Sequence, residues 1–189
     1  MFWNRRKSFS YVCGCCGRTV TGSPSFSIGL PPFFGHLSDE EVECRVHFDD
    51  DLCHVRQTPG TISDDDVFAI RALLEIPIHG VDEPFSWSVW VTQSRQNFCD
   101  YVETAGTDQS GTMTFGWLPI TLPGYRRTGD GEPVESLACD VQWQKEGLRP
   151  VITLHECDHP LFLDQRNGMT WKRAIEIAEP LNRRAHGRD

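Results

Sequence analysis

The sequence predicts a single α+β domain: a mainly antiparallel sheet of five or six strands, about three helices, and an N-terminal cysteine knuckle. Three observations predict it. A chain of 189 residues with 39% hydrophobic and 24% charged residues has the size and balance of one globular domain. Apolar residues recur with the period-two spacing of strands in several segments and with helical spacing in only a few. Tyr11 to Phe34 shows neither period and opens on Cys13, Cys15 and Cys16, so another source must order it. Residues 1–10 are assigned to a flexible N-terminus, 11–182 to the domain, and 183–189 to a flexible basic tail.

Taken in order, Ser38-Asp39-Glu40-Glu41 has the capping-box pattern in which Ser38 and Glu41 satisfy each other's amides, so a short helix through about Val46 follows. Leu52 to Val55 reads as a brief strand, and Val67 to Ile78 as a long one ending near Pro77, although Ala69 to Glu75 taken alone also fits a helix. Phe85, Trp87, Val89 and Val91 alternate with Ser86, Ser88, Trp90 and Thr92, the clearest strand in the chain. Ser94 caps a helix on which Phe98, Tyr101 and Val102 form one stripe, ending near Gly106. Thr112 to Leu122 returns to the sheet, with Gly116 marking a bulge or close approach, and Pro123 to Pro133 is a long turn. Val134 to Trp143 and Pro150 to His155 are adjacent strands joined by the polar turn Gln144 to Arg149. Thr170 opens a final amphipathic helix whose last turn Pro180 weakens.

A formal charge of -9 repels polyanions over most of the surface, so nucleic acid is not the expected partner. An acidic protein instead attracts basic ones over long range, which makes another protein the expected partner. No apolar run approaches the roughly 18 residues of a membrane span, and Met1 to Ser10 lacks the apolar core of an export signal, so a cytoplasmic location is expected. In that compartment the eight cysteines are thiols or metal ligands rather than a disulfide framework. Trp87, Trp90, Trp117, Trp143 and Trp171 fall at periodic positions that place them in the core rather than on a ligand wall. Gly106, Gly111 and Gly116 lack the Lys-Ser/Thr ending of a phosphate loop, and no H-E-x-x-H metalloprotease pattern occurs.

Several segments in one order resemble a bacterial family, domain of unknown function 2199. They are Cys13-Gly14-Cys15-Cys16-Gly17, Asp51-Leu52-Cys53, Arg71 through Ile78, Phe85 through Val91, Phe115-Gly116-Trp117-Leu118, Arg149-Pro150, and Asp158-His159-Pro160-Leu161 through Gln165-Arg166-Asn167-Gly168-Met169-Thr170. The resemblance spans about residues 11 to 180 and implies a shared fold without an established activity. At Val20 the chain departs from the pattern, where the family's knuckle has a histidine.

Cys13 and Cys16 have the C-x-x-C spacing with which two thiolates meet one zinc ion, half of a tetrahedral site. Cys53 and His159, both in segments that carry the resemblance and beside polar loops, are the expected third and fourth ligands. Cys157, His155, His54, Cys44 and Cys15 are alternatives. Four protein ligands make the ion structural, anchoring a segment poor in apolar residues. No catalytic set is assigned: adjacent residues on extended chain point to opposite sides, so Asp158 is poorly placed to orient His159 as a base for Cys53. The expectation is a non-enzymatic, cytoplasmic, zinc-stabilised protein that binds another protein, a toxin-neutralising immunity protein being one form. A small metal-dependent hydrolase and a redox-responsive thiol protein are the alternatives.

Overall fold

The computed structural model describes residues 8–14, 16–126 and 134–185. Residues 1–7 of the predicted flexible end, Cys15, the end of the predicted long turn and the last residues of the predicted basic tail lie outside the described residues. In chain order the elements are β1 (Ser10–Val12), β2 (Thr19–Thr21), β3 (Ser25–Ser27), α1 (Asp39–Arg45), β4 (Val46–Phe48), β5 (Leu52–Val55), β6 (Val67–Ile76), β7 (Phe85–Gln93), α2 (Arg95–Glu103), β8 (Met113–Pro119), β9 (Ser136–Gln142), β10 (Val151–Leu154), α3 (Pro160–Asn167) and α4 (Trp171–Ala185).

The sheet is mainly antiparallel as expected, but it has eight strands among the described residues rather than five or six. Eight strands run in the order β3-β7-β8-β9-β10-β6-β5-β4, and β6 also pairs with β7, so β6 to β10 close into a five-stranded barrel. Along a meander each strand reverses direction, so the first and fifth of five run the same way. Closure therefore forces one parallel pair, observed as Val151↔Leu73 and Ile152↔Leu74. β6 and β7 pair over nine positions, and the length of each lets its other edge serve two partners. β6 takes β5 along Val67 to Ile70 and β10 farther on; β7 takes β3 along Ser86 to Ser88 and β8 at Thr92.

The β7–β8 seam is the narrow point of the barrel. Its single ladder position, Thr92↔Trp117, is supplemented by side chains: the Trp117 amide donates to Thr92 Oγ1 at 3.2 Å and Gln93 Nε2 donates to the Phe115 carbonyl at 3.3 Å. Gly116 makes the approach possible, because a Cβ there would lie 2.6 Å from both the Thr92 carbonyl oxygen and Val91 Cγ1. The close approach expected at Gly116 is thus present.

Two cores flank β6 and β7. Alternate residues Ile70, Ala72, Leu74 and Ile76 join Phe85, Trp87, Val89 and Val91 inside the barrel, with inward residues of β8, β9 and β10. On the opposite face Ala69, Trp90, Cys53 and Val55 form a smaller core under Phe34. Burial on both faces is why β6 reads as a nearly continuous apolar run.

The predicted capping box is formed at α1: Glu41 N donates to Ser38 Oγ and Ser38 N donates to Glu41 Oε2. Ser94 caps α2 as expected, through Asn97 N. There are four helices among the described residues rather than about three. The addition, α3, is not assigned from sequence because only Leu161 and Phe162 of its eight residues are buried, too few to show a stripe. Gly168 ends it at φ 78°, where a side chain would also meet the His79 ring at 2.9 Å. Gln165 docks α3 on β10, accepting from Leu154 N and donating to the Ile152 carbonyl. Helix α4 starts after Thr170 as expected but continues through Pro180 to Ala185.

The N-terminal segment is ordered by packing. β1 and β2 form a hairpin, Phe9 and Cys13 are fully buried and Tyr11 nearly so, and all three join the barrel core. Phe9 stacks 4.9 Å from Trp171, whose Nε1 donates to the Ser10 carbonyl, and Gly14 N donates to Glu179 Oε1 at 2.6 Å. Phe9 and Ser10, expected in a flexible end, therefore belong to the domain. Among the described residues no helix is long and apolar enough to cross a membrane.

Candidate functional site

The expected zinc ligands are distributed over the fold as follows. Cys13 sits at the β1–β2 turn, where its amide donates to the Arg18 carbonyl and its carbonyl accepts from Gly17, with half-buried Cys16 packed on the same core. Cys53 pairs with Ala69 across β5 and β6 and faces the smaller core, on the other side of the sheet from the barrel interior. Burial, reinforced by Asp49, pushes its thiol up to about 12. His159 is fully buried before α3: its Nδ1 accepts from Leu161 N at 3.2 Å, and its Nε2 lies 3.6 Å from Glu135 Oε2. Among the described residues no group of three or more His, Cys, Asp or Glu is arranged to hold a metal ion. The structure places Cys13 and Cys16 on one turn, Cys53 in the smaller core on the other side of the sheet, and His159 at the start of α3.

In the second chemical reading, of Asp158-His159-Pro160 as a base, the Nδ1 of His159 is taken up by the Leu161 amide at the start of α3. A Ser63–Asp66–His54 grouping has triad residue types but not triad wiring. Asp66 lies in the middle and accepts from Ser63 Oγ at 3.0 Å, His54 Nε2 at 2.8 Å and two backbone amides, so the hydroxyl has no imidazole beside it. Burial opposes ionisation of Asp66, but these bonds, led by the Gln57 amide, hold its carboxyl far below the usual carboxylate range. It is a knot that fixes the loop before β6.

A second polar network joins residues far apart in sequence. Arg71, nearly buried on β6, lies 4.1 Å from the centre of the Trp90 ring and donates to the carbonyls of Asp50, Ile28 and Gly29 and to Ser27 Oγ. Arg149 Nε donates to Asp51 Oδ1 at 2.6 Å and its Nη1 to Ser88 Oγ at 3.3 Å. Desolvation and the nearby Arg149 charge lower the Arg71 pKa, and Asp51 and Asp50 oppose that shift. Four segments that carry the family resemblance, those of Asp51, Arg71, Ser88 with Trp90, and Arg149, thus meet at one place.

The outer face of β8 was missed from sequence. Met113, Phe115 and Trp117 are 62, 46 and 48% exposed on alternate positions, with the Phe115 and Trp117 rings edge to face at 5.3 Å. Trp87, Trp90 and Trp143 are buried as expected and Trp171 is partly so, whereas Trp117 is outside the core. The signal was the alternation itself. With Gly116 and Leu118 turned inward, Phe115 and Trp117 must point out. Asp140 lies opposite Phe115 on β9 and bonds His155, whose ring is 5.6 Å from that of Phe115.

A family model described as an uncharacterized protein conserved in bacteria (DUF2199) matches residues 12–169. No curated protein and no solved structure matches the chain.

Proposed function

Because the chain belongs to the bacterial DUF2199 family, whose description carries no activity, we propose from its surface that it acts by binding another protein through the outer face of β8. The exposed stripe of Met113, Phe115 and Trp117 supports this. Aromatic residues on one rigid strand give large contact area at small entropic cost, and methionine beside them adapts to the partner's shape. Asp140 lies opposite Phe115 at the edge of the stripe on a chain of net charge -9, so a partner with a basic group beside an apolar centre is the complement. A toxin-neutralising immunity protein acting in the cytoplasm is the narrower form of this proposal.

The test compares the parent protein with a Phe115→Ser/Trp117→Ser variant of unchanged melting temperature as baits. A bacterial protein retained by the parent, lost with the variant and released near about 0.5 M salt, where screening shortens to a few ångströms, supports the proposal. Identical retained sets on both baits overturn it. A retained basic toxin that loses activity on mixing supports the narrower form.

Zinc enters the proposal only as a structural ion on the Cys13–Cys16 turn, and the partner-binding role does not depend on it, since Phe9 and Trp171 already anchor the hairpin. Native mass spectrometry before and after chelation decides: loss of one zinc with a lower melting temperature supports the ion, and unchanged mass and stability refute it.

A further inference from the structure

A pocket of about 260 Å³ opens beside the Asp51–Arg149 pair, between the C-terminal end of α2 and the β9–β10 turn. Its lining contains none of the β8 stripe residues, and it shares Asp51 and Arg149 with the polar network in which Arg149 bonds Ser88 and Arg71 bonds the Asp50 carbonyl. Arg149 is held at two of its three nitrogens, so the guanidinium is fixed while Nη2 has no partner among the described residues. The Tyr101 ring is set edge to face on Trp143 at 5.2 Å, and its hydroxyl likewise has no partner among the described residues. Lys145 adds an ammonium group from the turn. Each of these three groups offers a hydrogen to a ligand, and Leu52, Val102 and Leu148 supply apolar wall.

We propose that this pocket binds a small organic monocarboxylate, its carboxylate on Arg149 Nη2, the Tyr101 hydroxyl and Lys145, and its apolar body against Leu52, Val102 and Leu148. The charge balance favours a single negative charge: Arg149 and Lys145 are offset by Asp51 and Glu146 in the same lining, which leaves no excess positive charge to neutralise a doubly charged phosphate, whereas a carboxylate needs only the local donors. Volume selects the size. The space equals on the order of eight or nine water volumes, room for a ring or short chain but not for a nucleotide.

Benzoate is the probe, titrated into the full ¹⁵N-labelled chain by NMR, with benzamide as its neutral isostere and inorganic phosphate as the competing anion. Benzoate is expected to shift the amides of Gly106, Gly147 and Leu148 and to bind at least about tenfold tighter than benzamide, the value of one charge-assisted hydrogen bond. Arg149→Met should weaken benzoate by about tenfold or more. Because Arg149 also holds Asp51, Tyr101→Phe supplies a variant that removes only a hydroxyl and should weaken benzoate several-fold with the melting temperature unchanged. No saturable shift up to about 10 mM, the weak end of measurable affinity, overturns the site. Equal binding of benzoate and benzamide, or of benzoate and phosphate, overturns its carboxylate selectivity, and an unaltered benzoate affinity in Tyr101→Phe overturns the proposed contacts.

Discussion

Replacing Gly116 by alanine puts a methyl group into the seam that closes the barrel. The new Cβ would stand 2.6 Å from the Thr92 carbonyl oxygen and 2.6 Å from Val91 Cγ1, against an ordinary contact of 3.4 Å. Restoring that contact separates β7 and β8 by 3.4 − 2.6 = 0.8 Å. The obstacle is partly backbone, so no rotamer change removes it. The two side-chain bonds of the seam, at 3.2 Å and 3.3 Å, then stretch beyond hydrogen-bonding range. Overpacking costs about 1–3 kcal/mol and each lost bond about 1 kcal/mol, together about 3–5 kcal/mol. For a chain of this size each kcal/mol moves the melting temperature by about 2–4 °C, so a fall of about 6–20 °C is expected by calorimetry or circular dichroism. Gly29→Ala is the control: it has open space and ordinary φ, and should stay within about 2 °C of the parent, since alanine there mainly restricts the unfolded chain. A Gly116→Ala protein melting within 2 °C of the parent would refute the closure argument.

Arg71→Lys should lower stability by about 2–4 kcal/mol in urea unfolding, because a single ammonium cannot reach four acceptors and stack on Trp90; an unchanged midpoint would show that the clamp contributes nothing. The Asp66 carboxyl is held below its unfolded value of about 3.9, so its stabilising contribution is present above that pH and lost as pH falls below it. Asp66→Asn should therefore be less stable than the parent at neutral pH, and the gap should narrow below about pH 4; a gap independent of pH would contradict this sign. Native alkylation mapped by mass spectrometry should label exposed Cys44 and Cys99 well before Cys53 and Cys139, whose buried thiols are both pushed up to about 12. Early labelling of Cys53 would place it in solvent and revive a redox role.

The sequence by itself determined the local elements whose cause is local. Ser38 with Glu41, Ser94 with Asn97, and the two-residue alternation of Phe85 to Val91 are interactions between near neighbours, and each element they predict is present. The β1–β2 hairpin had no such signature: its aromatic residues are buried against Trp171, some 160 positions away, and no periodicity within a three-residue strand can announce that. Pairing of β6 with both β7 and β10 is likewise a choice among strands, made by which apolar faces fill one interior. That choice turned an expected sheet into a barrel and put Cys53 on the face opposite the Cys13 core. It also exposed Trp117 and gathered Asp51, Arg71, Ser88 and Arg149 beside one pocket. Strand pairing and side-chain convergence depend on contacts across the whole chain, so only the tertiary structure decided them.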